Sequence, residues 1–177
     1  MLVGVAKALG ASPVILTGTR DNRLEIGRKL GADHVINVRN EDAVEGVKRI
    51  LGGKGADYVL DCSAATNALN EAMLMVNRGG KICLAAFPHE KVPVDVANIV
   101  RNNIYIYGIR GEGKSATHRA QAFMEQKRFD AKLIHTHTFE LKDLPEAIRY
   151  AKERIDDAIK VVVKMPSVMA AKKMAAE

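Results

Sequence analysis

The chain has 177 residues, of which 47% are hydrophobic and 27% charged, with a formal net charge of +6, and it can hold one full domain or one domain and part of another. No apolar run is long enough to cross a membrane, and the scattered Lys and Arg residues have no aromatic residues interleaved among them. Neither a membrane nor a nucleic-acid partner is therefore expected, and the basic balance is that of a solvated surface.

Short apolar runs alternate with segments of helical periodicity through the first two thirds of the chain. Helices are predicted at 1–9, 21–30, 42–51, 66–76 and 93–101, and strands at 14–16, 34–37, 57–61, 81–86 and 104–108. The all-round apolar first helix is expected to be buried. The helix predicted at 66–76 is expected to stop at Gly79-Gly80. This alternation predicts an α/β fold, a doubly wound parallel Rossmann sheet.

The pattern changes after residue 113. Helices are predicted at 117–127 and 144–153, and strands at 135–139 and 158–165, which indicates a small α/β segment of its own. Three parts are therefore predicted. Residues 1–113 form a dinucleotide-binding part, residues 114–165 form a separate small α/β segment, and residues 166–177 are a tail without assigned chemistry.

The residues from Val5 to Arg20 predict a helix, a turn, a strand and a second turn that ends in arginine. This is the second half of a dinucleotide-binding βαβ unit, whose first half would be a strand and a Gly-x-Gly-x-x-Gly turn. We therefore expect the sheet to lack its first strand, which usually lies at its centre. Its loss predicts two unpaired edges, exposed apolar surface, and aggregation or strand exchange.

The two cysteines, Cys62 and Cys83, fall at the ends of predicted buried strands. They are not in a Cys-x-x-Cys spacing and suggest no zinc site. Both are expected to be reduced, which favours a cytoplasmic protein.

Five short motifs stand in order along the chain: Ala8-Leu9-Gly10-Ala11, Lys29-Leu30-Gly31-Ala32-Asp33, Gly55-Ala56-Asp57, Arg78-Gly79-Gly80-Lys81 and Thr136-His137-Thr138-Phe139. Over residues 1–165 they resemble the medium-chain dehydrogenase/reductase superfamily, on its zinc-dependent alcohol, polyol and threonine dehydrogenase side. The resemblance implies a catalytic domain whose N-terminal part, outside this sequence, carries the zinc ligands and most of the substrate pocket, and whose C-terminal part is residues 114–165. It also implies a homo-oligomer that pairs through the last Rossmann strand, here 104–107.

The turn after the second Rossmann strand chooses between two cofactors. Gly18 stands at the position where an acidic residue would select NAD. Thr19 and Arg20, which follow it, can bind a 2′-phosphate, and Arg23 can add a second charge. NADP is therefore the expected cofactor and NAD the second choice, because Asp21 can reach the ribose if the register differs. A plain turn, with Thr19 as N-cap and Arg20 in solvent, is the alternative.

The resemblance implies further cofactor contacts by position, at the carboxyl ends of strands, where open sheets bind ligands. Lys160 matches a basic residue that meets the pyrophosphate in relatives, and a strand-edge lysine in solvent is the alternative. The other expected contacts are Cys62, Ser63, Ala64, Leu84, Ala85, Ala86, Ile109, Arg110 and Gly111.

Two other patterns are not assigned chemistry. His135 and His137 share one face of a strand, but no carboxylate or cysteine is near them in sequence, so no metal site is expected. The run from Gly111 to Ser115 lacks the first glycine of a phosphate loop at the required spacing.

The chain is thus expected to be the cofactor-binding part of an NAD(P)-dependent, zinc-dependent alcohol or polyol dehydrogenase. Such an enzyme transfers hydride between a secondary alcohol and nicotinamide. No catalytic residue and no metal ligand is predicted here, and the chain alone is expected to be inactive. A non-catalytic cofactor-binding or interaction fragment, and a zinc-free quinone or enoyl reductase relative, are the alternatives.

Overall fold

The computed structural model describes residues 1–111 and 115–166. The predicted tail from 167 onwards, the boundary at 113 and the centre of the 111–115 loop lie outside the described residues. The chain divides into two compact units, one of residues 1–14, 20–33 and 123 onwards, the other of 15–19 and 34–122. The predicted division into domains stays a prediction.

The helices and strands alternate in the predicted order. In chain order they are α1 (Leu2–Ala8), β1 (Ile15–Gly18), α2 (Asp21–Lys29), β2 (His34–Asn37), α3 (Ala43–Ile50), β3 (Ala56–Asp61), α4 (Ala68–Met75), β4 (Val76–Leu84), α5 (Val96–Asn102), β5 (Tyr105–Gly108), α6 (Ala116–Glu125), β6 (His135–Glu140), α7 (Leu144–Glu153) and β7 (Lys160–Lys164). None of the helices in the part of the chain described has the length and apolar character to cross a bilayer.

The five Rossmann-type strands form two parallel sheets rather than one. Strand β1 pairs with β2 alone, while β3, β4 and β5 form a three-stranded sheet with β4 at its centre. No described strand pairs with the second edge of β1 or of β3. The predicted parallel α/β fold is therefore confirmed, although its strands are divided between two sheets instead of forming one.

Helix α3 holds the two sheets together through one apolar cluster. Its first turn is capped by Asp42, whose carboxylate accepts a hydrogen bond from the Glu45 N–H at 3.0 Å. Its buried face packs against Ile36 of β2, and Ile15 of β1 and Val59 of β3 pack against the same cluster. A second cluster, built on Ala72, Met73, Val76, Ile82 and Ile104, covers one face of the three-stranded sheet.

The opposite face of the three-stranded sheet remains open. Tyr58, Leu60, Tyr105 and Tyr107 occupy alternate positions of the outer strands, and each is at least 40% exposed. Tyr58 and Tyr107 meet edge to face, with ring centroids 6.4 Å apart. This face therefore presents large, partly apolar side chains to solvent.

The end of α4 corrects one prediction. The helix ends at Met75, one residue before the predicted end, but Gly79-Gly80 is not what stops it, because Val76 at once adopts an extended backbone and pairs with Ala56. A Cβ at Gly55 would lie 2.6 Å from the Met75 carbonyl oxygen, so the glycine of the Gly-Ala-Asp motif permits this close approach. The Gly-Gly pair lies within β4 instead of ending the helix.

Two burial predictions are also wrong. Cys62 is exposed, because it lies one residue beyond β3 in the following loop, whereas Cys83 is buried within β4. Helix α1 is not buried all round, since Val3 and Gly4 are its only buried residues. Leu2 remains 43% exposed, so its side of the helix is not covered by the described residues.

The other unit contains α1, α2 and a parallel pair of strands, β6 and β7, on which α7 packs through Tyr150. Asp33 joins two segments of this unit through its side chain. Its carboxylate accepts a hydrogen bond from the Val14 N–H at 2.6 Å and two from the Lys7 ammonium group, both at 3.0 Å. The Gly31-Ala32-Asp33 motif therefore anchors α1 to the chain before β1.

Candidate functional site

The carboxyl ends of β3, β4 and β5 lie side by side at one edge of the three-stranded sheet. The Ala85 N–H donates to the Asp61 carbonyl at 2.9 Å, and the Ile109 N–H donates to the Leu84 carbonyl at 3.0 Å. The ladder thus continues one residue beyond β4 and β5 and fixes where the following loops begin. Ligands of open parallel sheets bind outside such an edge.

The loop after β3 is stabilised by its own side chains. The Asp61 carboxylate accepts hydrogen bonds from the Ser63 N–H (2.8 Å) and hydroxyl (2.7 Å), and the Ser63 Oγ accepts one from the Ala65 N–H (3.1 Å). Ala64 has a left-handed backbone, with φ of 57°. Partial desolvation raises the pKa of the Cys62 thiol, and the charge of Asp61 raises it further.

A shallow groove of about 280 Å³ opens beside this loop, between the segments that follow β4 and β5. We call it the carboxyl-edge groove, and its lining residues are Leu84, Ala86, Phe87, Pro88, Gly108, Ile109 and Arg110. Four of them, Leu84, Ala86, Ile109 and Arg110, are among the expected cofactor contacts. The structure therefore brings those four together at one place.

Gly108 lines the groove without being required there by internal packing. A Cβ added there would meet no protein atom closer than the Leu84 carbonyl oxygen, at 4.0 Å. The space above the residue is therefore open to a ligand. The lining is largely apolar, as is common for small-molecule sites.

Three lining residues are absent from the sequence prediction: Phe87, Pro88 and Gly108. Phe87 is 68% exposed, and the Arg110 guanidinium carbon lies 5.4 Å from its ring centroid. The signal in the sequence is an aromatic residue followed by proline directly after an apolar strand. The remaining expected contacts follow the same edge but do not line the groove, namely Cys62, Ser63, Ala64, Ala85 and Gly111.

The turn predicted to choose the cofactor joins β1 to α2. Gly18 is the last residue of β1 and Thr19 is exposed. Arg20, not Thr19, is the N-cap of α2, with an extended backbone (φ −129°, ψ 122°) and a buried Nη2 atom. The alternative with Thr19 as N-cap is therefore wrong. Arg23 is exposed in the first turn of α2.

The expected basic contact, Lys160, lies in the other unit. It is the exposed first residue of β7, and its carbonyl oxygen accepts a hydrogen bond from the Thr136 hydroxyl at 3.3 Å. Its role toward a pyrophosphate stays a prediction.

A zinc site cannot be built from the described residues, since nowhere among them do three His, Cys, Asp or Glu side chains converge. The two histidines of β6 have other neighbours. His135 Nε2 lies 2.8 Å from the Thr138 hydroxyl, and His137 packs against the Tyr150 ring, with centroids 5.2 Å apart.

Comparison with known proteins gives consistent matches. Residues 1–126 match the family model of zinc-binding dehydrogenases. The sorbitol dehydrogenase of Bacillus subtilis is 33% identical over 164 residues, 92% of this chain and 46% of that protein. An L-threonine 3-dehydrogenase of Paraburkholderia phytofirmans is 32% identical over 147 residues, 83% of this chain and 43% of that protein.

Comparison with solved structures also finds dehydrogenases. The crystal structure of an alcohol dehydrogenase from Thermotoga maritima superposes with a TM-score of 0.83 and 27% identity, over 93% of this chain and 46% of that one. The chain thus spans less than half the length of the relatives that it matches.

Proposed function

Because the chain belongs to the family of zinc-binding dehydrogenases, we propose that it forms the cofactor-binding part of an alcohol or polyol dehydrogenase. Such an enzyme transfers hydride between a secondary alcohol and the nicotinamide of a dinucleotide. The observation that carries the proposal is the carboxyl-edge groove, which gathers four expected contacts where parallel sheets bind ligands. The names of the sorbitol and threonine dehydrogenases support a hydroxyl-bearing substrate.

The chain's own part in the reaction is to bind and orient the cofactor. The side chains of Leu84 and Ile109 would flank the nicotinamide ring and keep water from its faces, and Gly108 would let it approach the sheet edge. The cofactor, when bound, supplies the hydride acceptor. The alcohol would be bound and activated by residues outside this sequence, together with the zinc that the resemblance implies.

We propose NADP(H) as the cofactor, with NAD(H) as the second candidate. Gly18 places no carboxylate at the end of β1, so a 2′-phosphate meets neither repulsion nor bulk there. Arg20 follows it directly, and the exposed Arg23 adds a cation in the first turn of α2. Guanidinium groups bind phosphate with paired, charge-assisted hydrogen bonds.

Titration of the 177-residue protein with NADPH and NADH tests this proposal. A phosphate contact by Arg20 predicts that Arg20→Ala loses about 1.5–3 kcal/mol of NADPH binding, roughly 10- to 150-fold, and little NADH binding. Arg28→Ala is the matched control, because Arg28 is an exposed arginine on the same helix whose Nε lies 4.0 Å from Glu25 Oε2. In the reciprocal variant, Gly18→Asp, the new carboxylate should favour NADH.

The outcomes separate two claims. Equal losses of NADPH and NADH binding in Arg20→Ala would remove the assignment of Arg20 while leaving the cofactor-binding role. If neither nucleotide binds the unmodified protein at millimolar concentration, the cofactor-binding role of this chain is wrong.

A further inference from the structure

Arg110 is the one charged side chain among the described residues that line the carboxyl-edge groove. The other lining residues are aliphatic, aromatic, proline or glycine, and no described carboxylate lines the groove to offset the cation. A guanidinium group stays protonated throughout the working pH range. The groove therefore presents one positive charge beside apolar walls, where water screens charge less than in bulk solution.

The position of that charge is restrained by Phe87. The guanidinium carbon lies 5.4 Å from the ring centroid, within the range of a cation–π interaction. Phe87 follows β4 and Arg110 follows β5, so the contact joins two loops whose starts are fixed by the sheet ladder. The contact therefore holds the exposed Arg110 side chain beside Phe87 at the groove.

The two redox states of a nicotinamide ring differ in charge. The oxidised ring is a cation, and the reduced ring is neutral. From this difference and the position of Arg110, we infer that the groove discriminates between the two states and binds the reduced form of the dinucleotide more tightly. This inference rests on the proposed cofactor-binding function and adds to it a residue that sets redox-state preference.

The preference has a consequence for the direction of the reaction. When an alcohol is oxidised, its carbon gives a hydride to the ring, which loses its positive charge, and its hydroxyl proton goes to solvent. Removal of the ring's charge beside Arg110 relieves repulsion. By linkage, the contribution of Arg110 to the ratio of the two dissociation constants equals its contribution to the equilibrium constant of hydride transfer on the protein, in favour of the reduced ring.

The test compares dissociation constants for NADPH and NADP⁺, measured by calorimetry on the 177-residue protein. Replacing the cation, in Arg110→Gln, should shift the ratio of the two constants toward the oxidised form by about threefold to tenfold, as expected for unit charges a few ångströms apart in a solvated groove. Arg110→Lys should retain most of the unmodified ratio. Arg101→Gln, an exposed arginine on α5, is the control and should leave it unchanged.

A second variant tests whether the contact with Phe87 restrains the position of Arg110. Phe87→Leu keeps an apolar side chain but removes the ring, so the ratio should shift in the same direction as in Arg110→Gln, and by less. An unchanged ratio in Arg110→Gln overturns the inference, as does an equal weakening of both forms, while cofactor binding itself would stand. If the unmodified protein binds neither form, the proposed function is wrong and the inference fails with it.

Discussion

Asp33 offers the sharpest test of how a family motif stabilises this fold. Its carboxylate accepts a hydrogen bond from the Val14 N–H at 2.6 Å and pairs with the Lys7 ammonium group at 3.0 Å. Asp33→Ala removes both contacts and leaves the Val14 N–H without this acceptor. We expect the variant to unfold more easily, chiefly because of the backbone contact and only secondarily because of the ion pair.

The two contributions can be separated by magnitude. The side chains of Lys7 and Asp33 are 32% and 34% exposed, so the ion pair is worth about 0.2–1 kcal/mol. A hydrogen bond between a backbone N–H and a charged carboxylate contributes about 1.5–3 kcal/mol. Asp33→Ala should therefore lower the free energy of unfolding by about 2–4 kcal/mol, and Lys7→Met by no more than about 1 kcal/mol.

Urea denaturation followed by circular dichroism measures these differences, with m-values compared to detect any change in the unfolded state. Glu25→Ala is the control, because its ion pair with Arg28 is long, at 4.0 Å, and exposed. It should cost less than about 0.5 kcal/mol. The reasoning is refuted if Lys7→Met costs as much as Asp33→Ala, or if Asp33→Ala resembles Glu25→Ala.

Three further outcomes are expected. Gly108→Ala should leave the urea midpoint nearly unchanged, because its Cβ would meet open space. The same methyl group should weaken NADPH binding at least about tenfold by filling part of the groove, and unchanged binding would contradict the groove assignment. The amides of Tyr58 and Leu60, on the unpaired edge of β3, should exchange hydrogen faster than that of Ile82 in central β4, and equal protection would indicate a paired edge. Since the pKa of the Cys62 thiol is raised, its alkylation by iodoacetamide should become half-maximal at a higher pH than that of the unfolded chain, and a lower pH would disprove the cause given.

The sequence predicted what depends on local periodicity. The apolar runs of β1 and β2 and the amphipathic pattern of α3 are recognisable without knowledge of the partners, because burial imposes the same spacing wherever the partner lies. The start of β4 at Val76 was not predictable in this way. It depends on pairing with Ala56, a contact that overrides the helical pattern and follows from the register of the sheet.

The site was predictable only in part for a related reason. Strand order placed Leu84 and Ile109 at the carboxyl edge, because parallel strands present their ends together. The contact of Arg110 with Phe87 joins two loops far apart in sequence, and neither residue has a local signal for its partner. The pattern therefore gave the location of the groove, while its charge and restraint required the structure.

The two ends of the proposed cofactor site have different support in this chain. The carboxyl-edge groove follows β4 and β5, and β4 is paired on both sides and packed through Ile82, which is fully buried. The turn at Gly18 follows β1, which pairs only with β2. A strand paired on one side opens at lower free energy than one paired on both. We therefore expect the β4 side of the groove, with Leu84 and Phe87, to be better ordered than the turn at Gly18. Its β5 side, which is paired with β4 alone, has no such advantage.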